Sequence, residues 1–212
     1  MYKPYYYEPT EEKFNIISHA FGMVLSVIGL IFLCLRAFEV GGIRHIVSFA
    51  VFGLSMVILY AASTLYHWSQ DPKTRWRWNV IDRAAIYILI AGSYTPFTLV
   101  TLQGSTGWWL FAGVWGIALA GVTVKFASSK TYEILSTVSY IIMGWLGIFA
   151  INPLIEMLPS SGLLWLTIGG VCYMIGAVFY LLEKVRFNHA IFHVFVLLGS
   201  ASHFVSVYNY VV

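Results

Sequence analysis

The stretch NHAIFHVFVLLGSASHF, residues 188–204, decides the fold of this chain. It contains no charged residue, and none follows it before the chain ends at residue 212. A membrane-spanning helix needs about 20 consecutive, mostly apolar residues, and residues 190–210 provide such a segment. The same stretch carries three of the six histidines of the chain. We therefore predict a transmembrane helix that brings imidazole groups into the apolar layer or to its edge.

Six further stretches have a similar length and apolar character: residues 16–35, 46–66, 80–101, 108–124, 132–151 and 163–182. In the whole chain 59% of the residues are hydrophobic and 10% are charged, and the mean hydropathy is +0.79. Soluble domains carry about 25% charged residues, so a soluble fold is excluded. We predict an all-α, polytopic membrane protein. Residues 1–212 form one seven-transmembrane helical bundle, with residues 1–15 as a short cytoplasmic tail.

Lysine and arginine residues concentrate in alternate connections, and this asymmetry predicts how the bundle is oriented. Ten of the twelve lie on the side of the N-terminus: Lys3, Lys13, Lys73, Arg75, Arg77, Arg83, Lys125, Lys130, Lys184 and Arg186. Only Arg36 and Arg44 lie on the opposite side. The N-terminus is therefore predicted to be cytoplasmic and the C-terminus outside, in a multi-pass protein of the cell inner (plasma) membrane.

The small formal net charge of +3 gives no indication of nucleic-acid binding. The expected partners are membrane lipids, which surround such a bundle. Cys34 and Cys172 form no close pair in the sequence, which excludes a disulfide framework and a CxxC metal site.

Ionisable residues from four predicted helices share one level of the membrane. With the orientation above, His19, His67, Asp82, His189 and His193 all lie near the cytoplasmic ends of their helices. Each intramembrane ionisable residue costs about 2.5–3.5 kcal/mol on insertion scales. A cluster of such residues at one level therefore predicts mutual partners and a functional site.

The spacing of His189 and His193 is typical of a metal-binding pair on a helix. Residues four apart lie on one helix face with their Cβ atoms about 5–6 Å apart, and two such imidazoles can bind one zinc ion at about 2.0–2.1 Å. His67 is the natural third ligand because it lies at the same depth. Three histidines leave a fourth position for water, as in catalytic zinc sites. The alternative is that the pair only forms hydrogen bonds to carbonyl groups or lipid headgroups.

Ser63 and Asp82 are the candidate catalytic residues beside this metal site. Ser63 precedes His67 by four residues, so it shares that helix face and can contact a substrate carbonyl. Asp82 can accept a proton from the metal-bound water or orient that water. The alternatives are that Ser63 donates to a carbonyl of its own helix, and that Asp82 is a carboxylate favoured at a helix N-terminus.

The remaining histidines have weaker indications. His203 lies ten residues after His193, which is about 15 Å along a helix, so we expect a buried residue bonded within the bundle. His45 is expected at the opposite membrane surface. His19 lies at the right depth for the cluster, and the alternative is that it simply bonds Asn15 or a neighbouring helix.

Four sequence motifs together resemble the haemolysin III group, the bacterial branch of the progestin and adipoQ receptor family. They are NIISHAFG in the first helix, STLYH at the end of the second, the Asp82 region IDRAAIYILIAGSYTPF, and HAIFH at the start of the seventh. The resemblance covers nearly the whole chain. It implies a seven-helix membrane protein, within a wider group that includes alkaline ceramidases.

The resemblance also implies a set of site residues. Metal-dependent lipid hydrolases of the wider group share a serine, an aspartate and three histidines, and the matching positions here are Ser63, Asp82, His67, His189 and His193. The long N-terminal extension of the animal receptors has no counterpart, so hormone recognition is not implied, and the haemolysin label does not imply lysis.

Two functions follow as hypotheses. The first is a zinc-dependent hydrolase at the cytoplasmic side, linked to membrane lipid homeostasis, whose substrate is a lipid amide or acyl lipid that enters between helices. The second is a non-enzymatic receptor-like, sensor or haemolytic protein whose zinc is structural. A third hypothesis is that two of the histidines bind haem instead of zinc, and a colourless protein preparation would exclude it.

Overall fold

The computed structural model describes residues 5–127 and 133–212. Lys3, Lys130 and the first residue of the predicted segment 132–151 lie outside this part. The described residues form helices joined by short turns: α1 (Pro9–Val40), α2 (Ile43–Trp68), α3 (Pro72–Pro96), α4 (Gly104–Ala127), α5 (Glu133–Trp145), α6 (Ile151–Met157), α7 (Ser160–Leu181) and α8 (Asn188–Tyr210).

Seven helical crossings are long and apolar enough to span a membrane within the described part of the chain. The third crossing is α3 with a π-helical continuation, Phe97–Thr101, and the fifth is α5 and α6 with a 3-10 turn, Leu146–Ala150, between them. The predicted all-α fold with seven spans is confirmed. The orientation of the termini stays a prediction.

Several helices begin earlier than the apolar pattern indicates. Helix α1 begins at Pro9 rather than at residue 16, so residues 9–15 of the predicted tail are helical. Proline fits here because the first helical N–H has no partner within the helix and the proline φ matches the helix. The polar turn that starts α1 therefore extends the helix beyond its lipid-facing part.

Helix α3 begins at Pro72, ten residues before Asp82. Its N-cap is Asp71, whose Oδ2 accepts a hydrogen bond from the Thr74 amide at 2.8 Å. Hydrogen bonds from Thr74 lower the pKa of the Asp71 carboxyl. The alternative that Asp82 serves as a helix N-terminal carboxylate is therefore wrong, because Asp71 fills that position.

The predicted connection after residue 151 is also helical. Residues 151–157 form α6, which completes the fifth crossing. Pro153 is the third residue of α6 and has no N–H, but the first amides of a helix lack intrahelical partners in any case. The chain therefore restarts a helix at this point instead of turning.

The bundle is held together by the packing of α1 on α2, α2 on α3, and α8 on both α7 and α1. Helix α3 is the most enclosed of the seven crossings, whereas α4 and α7 face largely outward. A buried apolar core that includes Leu33, Phe49, Phe52 and Tyr60 joins the central helices. This packing brings the ends of α1, α2, α3 and α8 to one site.

Gly53 allows α1 and α2 to approach closely. A Cβ atom at this position would lie 3.1 Å from the Leu30 Cα and 2.6 Å from its Cδ1. We expect Gly53→Ala to destabilise the protein by about 1–3 kcal/mol, the usual cost of overpacking. Thermal unfolding in detergent measures this. The control is Gly113→Ala, where a Cβ would meet nothing within 4 Å, so a melting temperature that falls equally in both variants would contradict the packing argument.

Candidate metal centre and apolar cavity

Three histidines from two helices form a compact buried cluster. One ring nitrogen from each of His67, His189 and His193 lies within 4.8 Å of the others. The Nε2 atoms of His67 and His189 are 3.3 Å apart. His67 is fully buried, and His193 is 1% exposed. The residues that the sequence predicts as ligands therefore come together, and the cluster is placed to hold a metal ion.

The ends of two helices position these rings. His67 lies in the last turn of α2, and His189 and His193 lie in the first two turns of α8. Phe187, the residue just before α8, adopts a left-handed backbone conformation. Glu11 of α1 then accepts a hydrogen bond from the His189 amide at 3.2 Å. A carboxylate at a helix N-terminus also interacts favourably with the helix dipole, so α1 fixes the start of α8.

Glu12 connects the cluster to a buried arginine. Its Oε2 accepts a hydrogen bond from His67 Nδ1 at 2.9 Å, and its Oε1 pairs with the Arg75 guanidinium. Arg75 is fully buried. Arg75 also donates to the carbonyl oxygens of Tyr66, His67 and Ser69, each at 3.2 Å. These contacts tie the end of α2, the start of α1 and the start of α3 into one unit.

Sequence reasoning missed Glu11, Glu12 and this role of Arg75. The glutamates lie within the predicted cytoplasmic tail. Arg75 enters the sequence analysis only as one of the positive charges that predict the orientation of the bundle. The signal that was available is the acidic pair directly before the first apolar segment. Two adjacent carboxylates are also common in the first turn of a solvent-exposed helix. The acidic pair alone therefore does not show whether these side chains are solvated or buried.

The segment before α1 covers the cluster. The Tyr7 ring stacks on His189, with ring centroids 4.5 Å apart. Burial raises the pKa of the Tyr7 phenol well above its ordinary value. Tyr6 lies over the Arg75 guanidinium at 4.4 Å, and the Tyr5 carbonyl accepts a hydrogen bond from Arg75 Nε at 2.9 Å. Residues 5–7 are therefore part of the site.

His19 belongs to the cluster by stacking. Its ring lies parallel to that of His193 with a centroid distance of 3.5 Å. Neither of its ring nitrogens has a hydrogen-bond partner among the described residues by distance and angle, so its ring joins the neighbouring helix α8 by stacking. His193 in turn has its Nδ1 at 3.4 Å from Ser18 Oγ.

Ser63 and Asp82 lie together on the wall of a cavity beside the cluster. The Ser63 hydroxyl lies beside the Asp82 carboxylate, close enough for the two to interact, and it makes no hydrogen bond to a carbonyl oxygen of its own helix. The alternative that Ser63 donates to a carbonyl of its own helix is therefore wrong. Both side chains are available to a molecule that occupies the cavity.

This cavity has a volume of about 770 Å³, within the range of about 300–1,000 Å³ for ligand pockets. Polar residues line its end next to the cluster: Tyr7, His19, Ser63, Asp82, Arg83, His189 and His193. Its remaining wall is mostly apolar and includes Ile86, Leu89, Leu163, Met174, Phe192 and Val196. At about 1.5 Å per helical residue, it extends about 20 Å along α8, from His189 to His203. It can accommodate a long apolar chain with a polar group at the cluster.

His203 lies at the far end of the cavity. Its Nε2 is 3.2 Å from the Leu166 carbonyl oxygen, and the side chain is buried. The prediction of a buried histidine bonded within the bundle is confirmed. It therefore lies apart from the three-histidine cluster, as its position ten residues after His193 predicts.

A family model described as "Haemolysin-III related" matches residues 7–204. The chain is 47% identical over 201 residues to "Hemolysin-3" of Bacillus cereus, covering 95% of this chain and 92% of that protein. It is 45% identical to the "Hemolysin-3 homolog" of Bacillus subtilis over 95% of both chains. The human "Monocyte to macrophage differentiation factor" is 26% identical over 96% of this chain and 87% of its own length. These matches span every residue of the cluster.

Proposed function

Because this chain belongs to the haemolysin-III-related family, we propose that it is a zinc-dependent membrane hydrolase of lipid amides or acyl lipids. The proposal rests on one observation, which is that three features of the site lie side by side. A three-histidine cluster, the Asp82 carboxylate and an apolar cavity of about 770 Å³ adjoin one another. Hydrolysis of an acyl lipid requires a polar reacting centre beside a channel for its chain.

The geometry of the cluster fits zinc. Two nitrogens bound to one tetrahedral zinc ion at about 2.0–2.1 Å lie about 3.4 Å apart, and the Nε2 atoms of His67 and His189 are 3.3 Å apart. Imidazole nitrogens suit zinc. His67 also has a carboxylate partner at its other nitrogen, as metal-binding histidines usually do. His67, His189 and His193 would hold the ion.

Each remaining residue has a chemical task in this proposal. Zinc at the three histidines would supply Lewis-acid activation of water, lowering its pKa to about 7 in the most favourable cases. Asp82 accepts the proton of the attacking water and returns it to the leaving amine or alkoxide. The Ser63 hydroxyl donates a hydrogen bond to the carbonyl oxygen of the scissile bond. The water oxygen bonds to the acyl carbon as the bond to nitrogen or oxygen breaks.

The apolar cavity supports a route by which a membrane lipid would reach this centre. Its wall combines side chains of α3, α5, α7 and α8, so an acyl chain enters sideways between helices from the lipid layer. We place the cluster at the cytoplasmic side of the inner membrane, following the distribution of lysine and arginine. The products, a fatty acid and a lipid amine or alcohol, would connect the protein to membrane lipid homeostasis.

A chelation experiment tests this proposal. Purified protein in lipid vesicles is incubated with N-acyl sphingoid lipids and with acyl esters, and released fatty acid is measured by mass spectrometry. We expect release that stops when a chelator removes the metal and resumes when zinc is restored. No release from any acyl lipid by the zinc-loaded protein would contradict the hydrolase, and a coloured preparation would indicate haem instead.

The second candidate function is non-enzymatic, with zinc as a structural brace in a receptor-like, sensor or haemolytic protein. It is favoured by the position of the cluster between the end of α2 and the start of α8, which are far apart in the sequence. In that case metal removal lowers the melting temperature while no acyl lipid is hydrolysed with or without zinc.

A further inference from the structure

Glu12 makes two charged contacts inside the bundle. One carboxylate oxygen lies 2.9 Å from His67 Nδ1, and the other pairs with the Arg75 guanidinium. Glu12 is 8% exposed, and His67 and Arg75 are fully buried. A buried carboxylate is costly unless it is paired and hydrogen-bonded, and here both of its oxygens have a partner.

The contact with His67 selects the form of the imidazole that can bind a metal. An ionised carboxylate only accepts hydrogen bonds, so the hydrogen between Glu12 and His67 belongs to Nδ1. The lone pair is then on Nε2, which is the atom 3.3 Å from His189 Nε2. A hydrogen bond of this kind also fixes the ring orientation and increases the basicity of the ligand.

Arg75 holds Glu12 in this place. Its guanidinium donates to Glu12 and to the carbonyl oxygens of Tyr66, His67 and Ser69. It also lies between the rings of Tyr6 and Tyr66, at 4.4 and 4.6 Å from their centroids. Because Arg75 contacts the end of α2 that carries His67, the carboxylate and the imidazole are fixed relative to one another.

We propose that Glu12 is a positioning residue for metal binding, which orients His67 and fixes its Nδ1–H form, with Arg75 as its anchor. The inference rests on the metal-binding part of the proposed function and is independent of hydrolysis. Glu12 faces the side of His67 away from the cluster, so it acts through His67 and does not contact the metal or a substrate. This assigns a role at the metal site to the polar first turn of α1.

The test measures metal affinity in full-length protein. Zinc affinity is determined by competition with a chromophoric chelator, and ligand geometry is followed by the visible absorption of bound cobalt(II). We expect Glu12→Gln to weaken zinc binding by about 10–100-fold and to change the cobalt spectrum. Glu8→Gln is the control, because Glu8 is exposed, lies at the same helix start and makes no side-chain capping bond.

Conservative variants separate positioning from a general loss of structure. Glu12→Asp keeps a charge for Arg75 but withdraws it from His67, so it too should weaken zinc binding, while its melting temperature without metal should fall less than that of Glu12→Gln. Wild-type zinc affinity and an unchanged cobalt spectrum in either variant overturn the positioning role. If wild-type protein binds no zinc, both this inference and the zinc hydrolase fail. Zinc binding without lipid turnover overturns only the hydrolase.

Discussion

Replacement of Asp82 by asparagine is expected to reduce lipid hydrolysis by about 10²–10⁴-fold, the usual contribution of a positioned general acid–base group. Asp82 is the only carboxylate among the described residues that line the cavity, so no neighbouring acid can replace it as proton acceptor. The asparagine amide keeps the size of the side chain and cannot accept the proton. Initial rates of fatty-acid release at saturating zinc measure the effect.

The matched control is Asp71→Asn. Asp71 is an exposed N-cap of the same helix, and asparagine is an equally good N-cap, so turnover and stability should match wild type. Equal turnover in Asp82→Asn and wild type, with equal zinc content, would remove Asp82 from the mechanism. A large loss of bound zinc in Asp82→Asn would show that the residue acts on the metal site instead.

Replacement of His193 by alanine is expected to abolish stoichiometric zinc binding. It removes one of three candidate ligands, so the loss of affinity should exceed the about 10–100-fold that removal of a supporting hydrogen bond causes. Elemental analysis of purified protein measures the zinc content. Ligand binding stabilises the folded state, by about 2.7 kcal/mol at a free zinc concentration of 100 times Kd, so zinc should raise the melting temperature of wild type only.

His45→Ala is the control for His193→Ala. His45 lies at the start of α2 and His67 near its end, which places them about 33 Å apart along the helix at about 1.5 Å per residue. We expect full zinc content in His45→Ala. One zinc per chain in His193→Ala would contradict the cluster as the binding site, whatever the function of the metal.

The number of crossings and the fold class could be predicted because lipid contact demands long apolar segments. The residues at which the helices begin could not be predicted, since hydropathy detects only the part of a helix that lies in the apolar layer. Glu12 and Arg75 are buried against each other in turns that hydropathy assigns to polar connections. A charged pair inside a bundle and two charges in water have the same local sequence pattern.

The three candidate ligands could be predicted because helix spacing and helix direction fix their depth. The hydrogen bond between His67 and Glu12 could not be predicted, since it joins residues 55 positions apart. Such a contact depends on how α1 packs against α2, and local sequence patterns do not fix that packing. The stacking of His19 on His193 depends in the same way on how α1 packs against α8.

Residues 5–7 contact Arg75 and His189. These contacts affect where an affinity tag can be attached. A polyhistidine affinity tag fused to the N-terminus would place a competing chelator beside the natural ligands and pull on the residues that cover them. A tag after Val212 follows the far end of α8, about 30 Å from His189 at about 1.5 Å per residue. Purification through the C-terminus therefore leaves measured metal stoichiometry attributable to the protein itself.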